Sequence, residues 1–138
     1  MSFAKKKKPT GMRGGKPVKK AKSLSKWKHE LDAVFSKYIR KTHPAICYTC
    51  GGIGKVLQCG HFIARSYLAT RFDESNCRPQ CVGCNMFGRG KPLEFEEHLK
   101  AELGDEFVEE MKTRRHNITK ITPAEYEVRI EYYKRLIK

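Results

Sequence analysis

Six cysteines are the residues of this 138-residue chain with the most informative spacing. Four of them form two C-x2-C pairs, Cys47 with Cys50 and Cys81 with Cys84, and thirty residues separate the two pairs. Each pair can direct two sulfur atoms at one ion from a tight turn, and two such turns complete the tetrahedron that Zn²⁺ adopts. Because four thiolates leave no coordination position for water, we predict one structural Zn²⁺ per chain. The alternative is four buried, reduced cysteines without a metal.

The other two cysteines, Cys59 and Cys77, stand outside this pattern. A free cysteine packs as a small apolar residue, and both positions fall in segments with the composition of strands. We therefore predict that Cys59 and Cys77 are buried strand residues rather than metal ligands or redox groups.

A second group of residues that could do chemistry consists of His61, Asn76 and Asn85. Hydrolysis of a phosphodiester requires a base for the attacking water and positive charge near the phosphate. An imidazole with a pKa of about 6.5 can take a proton from water near neutral pH. The neutral carbonyl oxygen of Asn85 can hold a hard ion such as Mg²⁺ while leaving most coordination positions to water and phosphate. Taken singly, each of the three would be an ordinary structural histidine, turn residue or helix cap.

Four longer helices are predicted around these residues. The first has apolar residues at every third or fourth position, which is typical of a helix with one buried face. The last follows a T-x-x-E capping box made by Thr122 and Glu125, with Pro123 at the first helical position. The predicted helices cover residues 24–40, about 92–104, 105–115 and 123–137.

Two short segments between the helices predict a hairpin. Residues 55–64, "KVLQCGHFIA", are rich in apolar residues and too short for a helix, which favours a strand. "NCRPQC", residues 76–81, is the candidate antiparallel partner, with Pro79 at an edge or at the end of the strand. A short helical stretch should follow Asn85. The fold class predicted from these elements is α+β.

The net charge of +14 is unevenly distributed along the chain. Residues 1–28 contain eleven Lys and Arg residues and no acidic residue. Residues 1–22 also have few apolar side chains, so we predict a disordered basic tail followed by one domain over residues 23–138. The resulting positive electrostatic field favours binding to a polyanion such as nucleic acid. Basic side chains that contact the phosphates release bound counterions, and this release increases the affinity. A solubilising tail beside an ordinary basic surface is the alternative.

The hydropathy of the chain argues against a membrane partner. No stretch approaches the run of roughly 20 apolar residues that spans a bilayer, and the N-terminus lacks the apolar core of a signal peptide. We therefore expect a cytoplasmic protein.

The order of the motifs resembles a known nuclease family. The segments "CGHFIARS", "RFDESN" and "QCVGCN" are similar to those of the phage NinG, or Rap, recombination endonucleases. The spacing from His61 to Asn76 to Asn85 also resembles the H-x14-N-x8-H/N pattern of HNH, or His-Me finger, nucleases. More distantly, the cysteine pairs with an intervening G-H resemble the endonuclease VII type of Holliday-junction resolvase. The resemblance covers about residues 45–105.

The resemblance implies a fold and a set of catalytic roles. The fold would be a small ββα-metal hairpin with a four-cysteine zinc site, flanked by N- and C-terminal helices. His61 would be the general base, and Asn85 would bind the catalytic Mg²⁺ or Mn²⁺. Asn76 would hydrogen-bond across the hairpin loop and fix the orientation of the histidine. The sequence differs from the HNH pattern at Gly60, where many HNH enzymes have an acidic or histidine metal ligand. Asn85 would then be the only protein ligand of the catalytic ion, or would share it with Asp73 or Glu74.

The resemblance also implies a substrate and an assembly. The substrate would be branched DNA such as a D-loop or a Holliday junction, cut inside the bacterial host of a phage, with recombination proteins as unidentified partners. Because symmetrical cuts across a junction need two active sites, a homodimer is expected, with the helices at residues 24–40 and 123–137 as candidate dimer surfaces. Candidate DNA-binding residues are Arg65, Arg71, Arg78, Arg89, Lys91 and the tail lysines Lys5, Lys6, Lys7 and Lys8.

Three other functions fit parts of the sequence. One is an HNH enzyme that nicks duplex DNA in packaging, restriction or intron homing. Another is a zinc-ribbon protein that binds DNA without cutting it. A zinc deaminase is disfavoured because its H-x-E and P-C-x2-C signature is not met: Ile63 lies two residues after His61, and Gln80 separates Pro79 from Cys81.

Overall fold

The structure is a computed structural model that describes residue 4, residue 11, residues 15–17 and residues 20–138. Most of the predicted tail, including Lys5 to Lys8, lies outside the described residues. Five helices and two strands follow in chain order: α1 (Leu24–Thr42), β1 (Leu57–His61), α2 (Leu68–Arg71), β2 (Cys77–Cys81), α3 (Pro92–Leu103), α4 (Asp105–Arg114) and α5 (Pro123–Leu136). A 3-10 turn (Glu74–Asn76) precedes β2, and a π-helical turn (Gly83–Phe87) follows it. The α+β prediction is confirmed.

Helix α5 begins at the predicted capping box and packs on α1. The Thr122 hydroxyl accepts a hydrogen bond from Glu125 N at 3.2 Å, and the Glu125 carboxylate accepts one from Thr122 N at 2.7 Å. These two bonds satisfy amide groups that have no partner within the helix. Phe35 of α1 and Tyr133 of α5 meet edge to face with ring centroids 5.2 Å apart. The buried residues that α1 and α5 share in this core are Leu31, Phe35, Ile39, Tyr126, Ile130 and Tyr133.

These two helices are the predicted candidates for a dimer surface, and their packing on each other limits which faces remain for a partner. Both stripes are used within one chain, where α1 and α5 cover each other. The outer face of α5 still exposes three apolar side chains at a spacing of four residues: Val128, Tyr132 and Leu136. Any contact between two copies through α5 must therefore use this outer face.

The two strands form the predicted antiparallel hairpin. The register pairs Leu57 with Cys81 and His61 with Cys77. The first strand is shorter than predicted, because after His61 the chain leaves the sheet to form a loop over residues 62–76. That loop contains α2 and the 3-10 turn, which the sequence analysis did not predict.

Helices α3 and α4 pack on each other and on Tyr48 and Phe62, which flank the hairpin. Pro92 is the first residue of α3, and Gly104 after its end has a φ of 92°, a left-handed conformation that favours glycine. The chain reverses there, and Phe95 and Leu99 of α3 pack on Val108 of α4. None of the described helices is long and apolar enough to cross a membrane.

Candidate functional site

Four cysteines from the two C-x2-C pairs converge at the base of the hairpin. The sulfur atoms of Cys47, Cys50, Cys81 and Cys84 all lie within 4.8 Å of one another. The distance between the Cys50 and Cys81 sulfurs is 3.8 Å. A tetrahedral ion with metal–sulfur bonds of about 2.3 Å separates its ligands by about 3.8 Å. The four cysteines could therefore hold a structural Zn²⁺, as the sequence analysis predicted.

Two thiols of this cluster, those of Cys47 and Cys84, have very different pKa values. Burial alone would raise the pKa of Cys47, but backbone hydrogen bonds from Cys81 and Cys50 and the Thr49 hydroxyl outweigh it and lower that pKa to about 5. The same hydroxyl lowers the pKa of Cys84, but burial and the three neighbouring thiols outweigh it and raise that pKa to about 12. The metal-free cluster thus retains thiol protons that its sulfurs share through hydrogen bonds. Zn²⁺ binds thiolates and displaces such protons, and the four-sulfur donor set fits this ion.

His61 lies at the end of β1 with its ring held by the loop. Its Nε2 is 2.9 Å from the carbonyl oxygen of Arg71. Since a carbonyl can only accept, Nε2 donates, and in the neutral ring Nδ1 is left as an acceptor. Burial lowers the pKa of His61, an effect that the Arg71 carbonyl partly offsets. The ring is therefore neutral near pH 7, which is the state that a general base requires.

Asn76 is fully buried and makes three hydrogen bonds across the loop. Its Oδ1 accepts from Ile63 N at 2.7 Å, and its Nδ2 donates to the carbonyl oxygens of Ile63 and Thr70, each at 3.0 Å. The residue after Thr70 is Arg71, whose carbonyl oxygen holds His61. Asn76 therefore positions His61 through the backbone of the loop without contacting the ring.

Asn85 lies in the π-helical turn, immediately after the last cysteine of the cluster. Its Nδ2 donates to Oε1 of Gln58 at 2.8 Å, and within residues 20–138 its Oδ1 accepts no hydrogen bond. Gln58 thus fixes the amide and leaves its oxygen free for a hard cation. The sequence analysis did not single out Gln58, although a polar residue three positions before the candidate base in an apolar strand was a usable signal.

One cleft connects these residues. It has a volume of about 600 Å³, and both His61 and Asn85 line it. Arg65 and Arg89 contribute positive charge to its lining, and Asp32 of α1 contributes a carboxylate. The cleft therefore brings together a neutral imidazole, an unbonded amide oxygen and two guanidinium groups.

Gly60 cannot be replaced here by the acidic residue of many HNH enzymes. A Cβ atom at this position would lie 2.1 Å from Oε1 of Gln80. Gln80 is fully buried and donates to the Thr49 hydroxyl and the Gly90 carbonyl, so it cannot move aside. The packing of Gln80 thus accounts for the departure noted in the sequence, while Asp73 and Glu74 do not line the cleft.

Two of the predicted DNA-binding arginines form hydrogen bonds and ion pairs within the chain. Nε of Arg71 donates to Asp32 at 2.9 Å and its Nη1 donates to the carbonyl oxygen of Arg65 at 2.9 Å. The side chain of Arg78 is only 5% exposed and forms an ion pair with Glu102 at 3.1 Å. Both guanidinium groups are thus paired and largely buried within the chain, and their contact with DNA stays a prediction.

The remaining described candidates, Arg65, Arg89 and Lys91, are exposed. Arg89 and Lys91 have φ angles of 55° and 48°, in the left-handed region that costs non-glycine residues about 1–2 kcal/mol each. Gly90 between them is also left-handed, and its carbonyl oxygen accepts a hydrogen bond from buried Gln80. This strained corner holds two basic side chains beside the π-helical turn.

Cys59 and Cys77 pack into the main core, as predicted. Cys77 is fully buried, and Cys59 is half-buried against the same cluster. Both thiols nevertheless lie beside the imidazole of His61, with the three donor atoms within 4.8 Å of one another. The sequence analysis, which predicted no metal role for Cys59 and Cys77, did not anticipate this proximity.

Comparisons with known proteins were made for the whole chain. A family model described as "Bacteriophage Lambda NinG protein" matches residues 4–138. The "Protein ninG" of Escherichia phage lambda is 27% identical over 119 residues, which are 83% of this chain and 58% of that protein. The chain thus spans less than two thirds of this relative's length. No solved structure matches.

Proposed function

Because the chain belongs to the bacteriophage NinG family, we propose that it is a metal-dependent endonuclease that cuts branched DNA during phage recombination in the host cytoplasm. One observation carries the proposal: His61 and Asn85 line the same cleft, each with an unused acceptor atom. This pairing supports hydrolysis of a phosphodiester. A zinc-binding protein without catalysis has no need of it.

The residues of the cleft have separate roles in the proposed reaction. His61 Nδ1 takes a proton from a water molecule that attacks the phosphorus atom in line with the leaving oxygen. Asn85 Oδ1 would hold Mg²⁺ or Mn²⁺, which when bound supplies charge stabilisation at the phosphate. Gln58 keeps the Asn85 amide oriented, and Asn76 keeps the loop that holds His61 in place.

The scaffold proposed for this chemistry is a ββα-metal hairpin. Strands β1 and β2 are followed by the π-helical turn, and the cysteine cluster joins that turn to the segment before β1. A Zn²⁺ in the cluster would fix the distance between the end of β2 and Asn85. The zinc is therefore structural, and the second, harder cation is the one used in catalysis.

Exposed residues beside the cleft support a branched substrate. Phe87 is 84% exposed and Met86 is 61% exposed, both in the turn that carries Asn85. Arg89 and Lys91 follow directly and can contact phosphates. An exposed aromatic ring beside basic residues can stack on an unpaired base, which the displaced strand of a D-loop offers and a regular duplex does not.

The proposed assembly is a homodimer. A junction that is cut on two strands needs two active sites, and the outer face of α5 exposes the apolar stripe of Val128, Tyr132 and Leu136. Tyr132→Glu should then separate the subunits, which sedimentation velocity measures directly. A wild-type protein that sediments as a monomer at micromolar concentration would contradict this part of the proposal.

The test of the activity compares three labelled substrates with Mg²⁺ or Mn²⁺: a four-way junction, a D-loop and a linear duplex. The wild type should cut the branched substrates, and His61→Ala should bind them without cutting. His116→Ala is the matched control, because this histidine is exposed and does not line the cleft. Equal cutting of the duplex would favour a nicking enzyme, and DNA binding that is independent of divalent cations and produces no cut would favour a binding protein. Either result refutes the proposal.

A further inference from the structure

A second cluster of metal-binding side chains lies at the hairpin, apart from the four-cysteine site. Cys59 and His61 are two residues apart on β1, so their side chains point to the same face of the sheet. Cys77 of β2 is directly opposite His61 in the register and shares that face. The Cys59 and Cys77 sulfurs and one ring nitrogen of His61 lie within 4.8 Å of one another.

We propose that these three residues form a binding site for a soft, thiophilic divalent cation such as Cd²⁺ or Zn²⁺. Two sulfurs and one imidazole nitrogen are the ligands that soft and borderline ions prefer, whereas Mg²⁺ and Mn²⁺ prefer oxygen. Three protein ligands leave a fourth tetrahedral position open, as in exchangeable rather than closed zinc sites.

The surroundings of the cluster provide access and some adjustment. Cys59 and His61 both line the cleft, so an ion can enter from it and the open position can face it. Cys77 is fully buried in the core and is the fixed ligand. Binding requires the donor atoms to approach to about 3.8 Å, the separation in a tetrahedral site. Half-buried Cys59 can supply this shift by rotating its side chain.

The geometry identifies which ring nitrogen binds the ion. Nε2 of His61 lies 2.9 Å from the Arg71 carbonyl oxygen, and the Cys77 sulfur lies 3.9 Å from the same oxygen. We assign Nε2 as the ligand, because it shares the Arg71 carbonyl oxygen with the Cys77 sulfur. On binding, Nε2 gives up its hydrogen bond to that oxygen, the two thiols release their protons to solvent, and the single ring proton moves from Nε2 to Nδ1. The ring then has no free acceptor.

This movement of the ring proton predicts that a bound soft cation inhibits cleavage, a consequence that rests on the proposed endonuclease activity. With Nδ1 protonated and Nε2 bound to the ion, His61 cannot accept a proton from water. Soft cations should therefore inhibit cleavage at saturating Mg²⁺, although they do not compete for the oxygen ligand Asn85.

The first experiment counts bound ions and does not depend on cleavage. Protein kept reduced with a phosphine is incubated with Zn²⁺ or Cd²⁺ and examined by native mass spectrometry. The wild type and the exposed-histidine control His116→Ala should hold two ions, whereas Cys59→Ala should hold one. Cys59→Ala retains the four-cysteine site, so its single bound ion also shows that it has folded. A wild type that holds one ion, or a Cys59→Ala variant that holds two, would overturn the proposal.

The second experiment measures cleavage of a four-way junction at saturating Mg²⁺ while Cd²⁺ is added. Cd²⁺ should reduce wild-type cleavage at least tenfold and leave Cys59→Ala within twofold of its own rate. Equal inhibition of the two proteins would refute the regulatory consequence. Absence of cleavage in every sample without Cd²⁺ would instead refute the endonuclease proposal, and the count of bound ions would still decide whether the second metal site exists.

Discussion

Asn76 offers the sharpest test of how the loop positions the site. Asn76→Ala removes three hydrogen bonds, one from Ile63 N and two to the carbonyl oxygens of Ile63 and Thr70. A buried hydrogen bond contributes a net stabilisation of about 1 kcal/mol, and the partners left behind are buried. The free energy of unfolding should therefore fall by roughly 3 kcal/mol.

The assay is urea unfolding with zinc in excess, followed by far-UV circular dichroism. Asn117→Ala is the matched control, because Asn117 is exposed and its hydrogen bonds are made by its backbone, which donates to the Arg114 carbonyl and accepts from the Thr119 hydroxyl. The unfolding free energy of this variant should change by less than about 0.5 kcal/mol. Asn76→Asp keeps the size of the side chain but places a carboxylate oxygen against the two carbonyl oxygens that accept from Nδ2. It therefore distinguishes the loss of these hydrogen bonds from the loss of packing. It should be at least as destabilising as the alanine.

Activity supplies the second half of this test. At temperatures where Asn76→Ala remains folded, its cleavage rate should fall, because the Arg71 carbonyl that orients His61 is no longer held. Binding of the junction should persist. A loss of stability below about 1 kcal/mol, or full cleavage by the folded variant, would refute the argument that Asn76 positions the base.

Other predictions follow from single features of the site. Gly60→Asp should be destabilised by several kcal/mol in thermal melts, because its Cβ would meet Oε1 of Gln80 at 2.1 Å; a neutral result would contradict the packing argument. Cys81→Ala should lose zinc by elemental analysis together with the cooperative unfolding transition; retention of both would refute the structural role of the metal. Since burial lowers the pKa of His61, wild-type stability should decline relative to His61→Gln as pH falls below about 6.5, where the unfolded chain takes up the proton first; parallel stability curves would count against it. Arg89→Ala should weaken DNA binding and reduce the slope of log affinity against log salt by about 1, and an unchanged slope would remove Arg89 from the interface.

Local signals explain what the sequence predicted well. The capping box, the proline that begins α3 and the glycine that follows it act within one turn of a helix, so a single sequence contains the information. The hairpin was predicted from the composition of two short segments, and the two strands pair there. Each C-x2-C spacing likewise predicts a tight local turn that directs two sulfurs to one point, and the four sulfurs lie within 4.8 Å of one another.

Contacts between distant parts of the chain explain what the sequence did not predict. Arg71 and Arg78 were candidates for DNA contact by charge, but their partners Asp32 and Glu102 lie 39 and 24 residues away. No spacing rule identifies such pairs. Gln58 was missed for the same reason, since its role depends on an amide 27 residues further along the chain.

The four-cysteine cluster also implies that zinc binding comes before the proposed activity. Thirty residues lie between the second cysteine of one pair and the first of the other, and His61 and Asn76 both belong to that segment. An ion bound by the two pairs closes this segment into a loop, and Asn85 directly follows the last of the four ligands, Cys84. If the chain has the proposed endonuclease activity, a newly synthesised copy would gain that activity only after it had bound zinc.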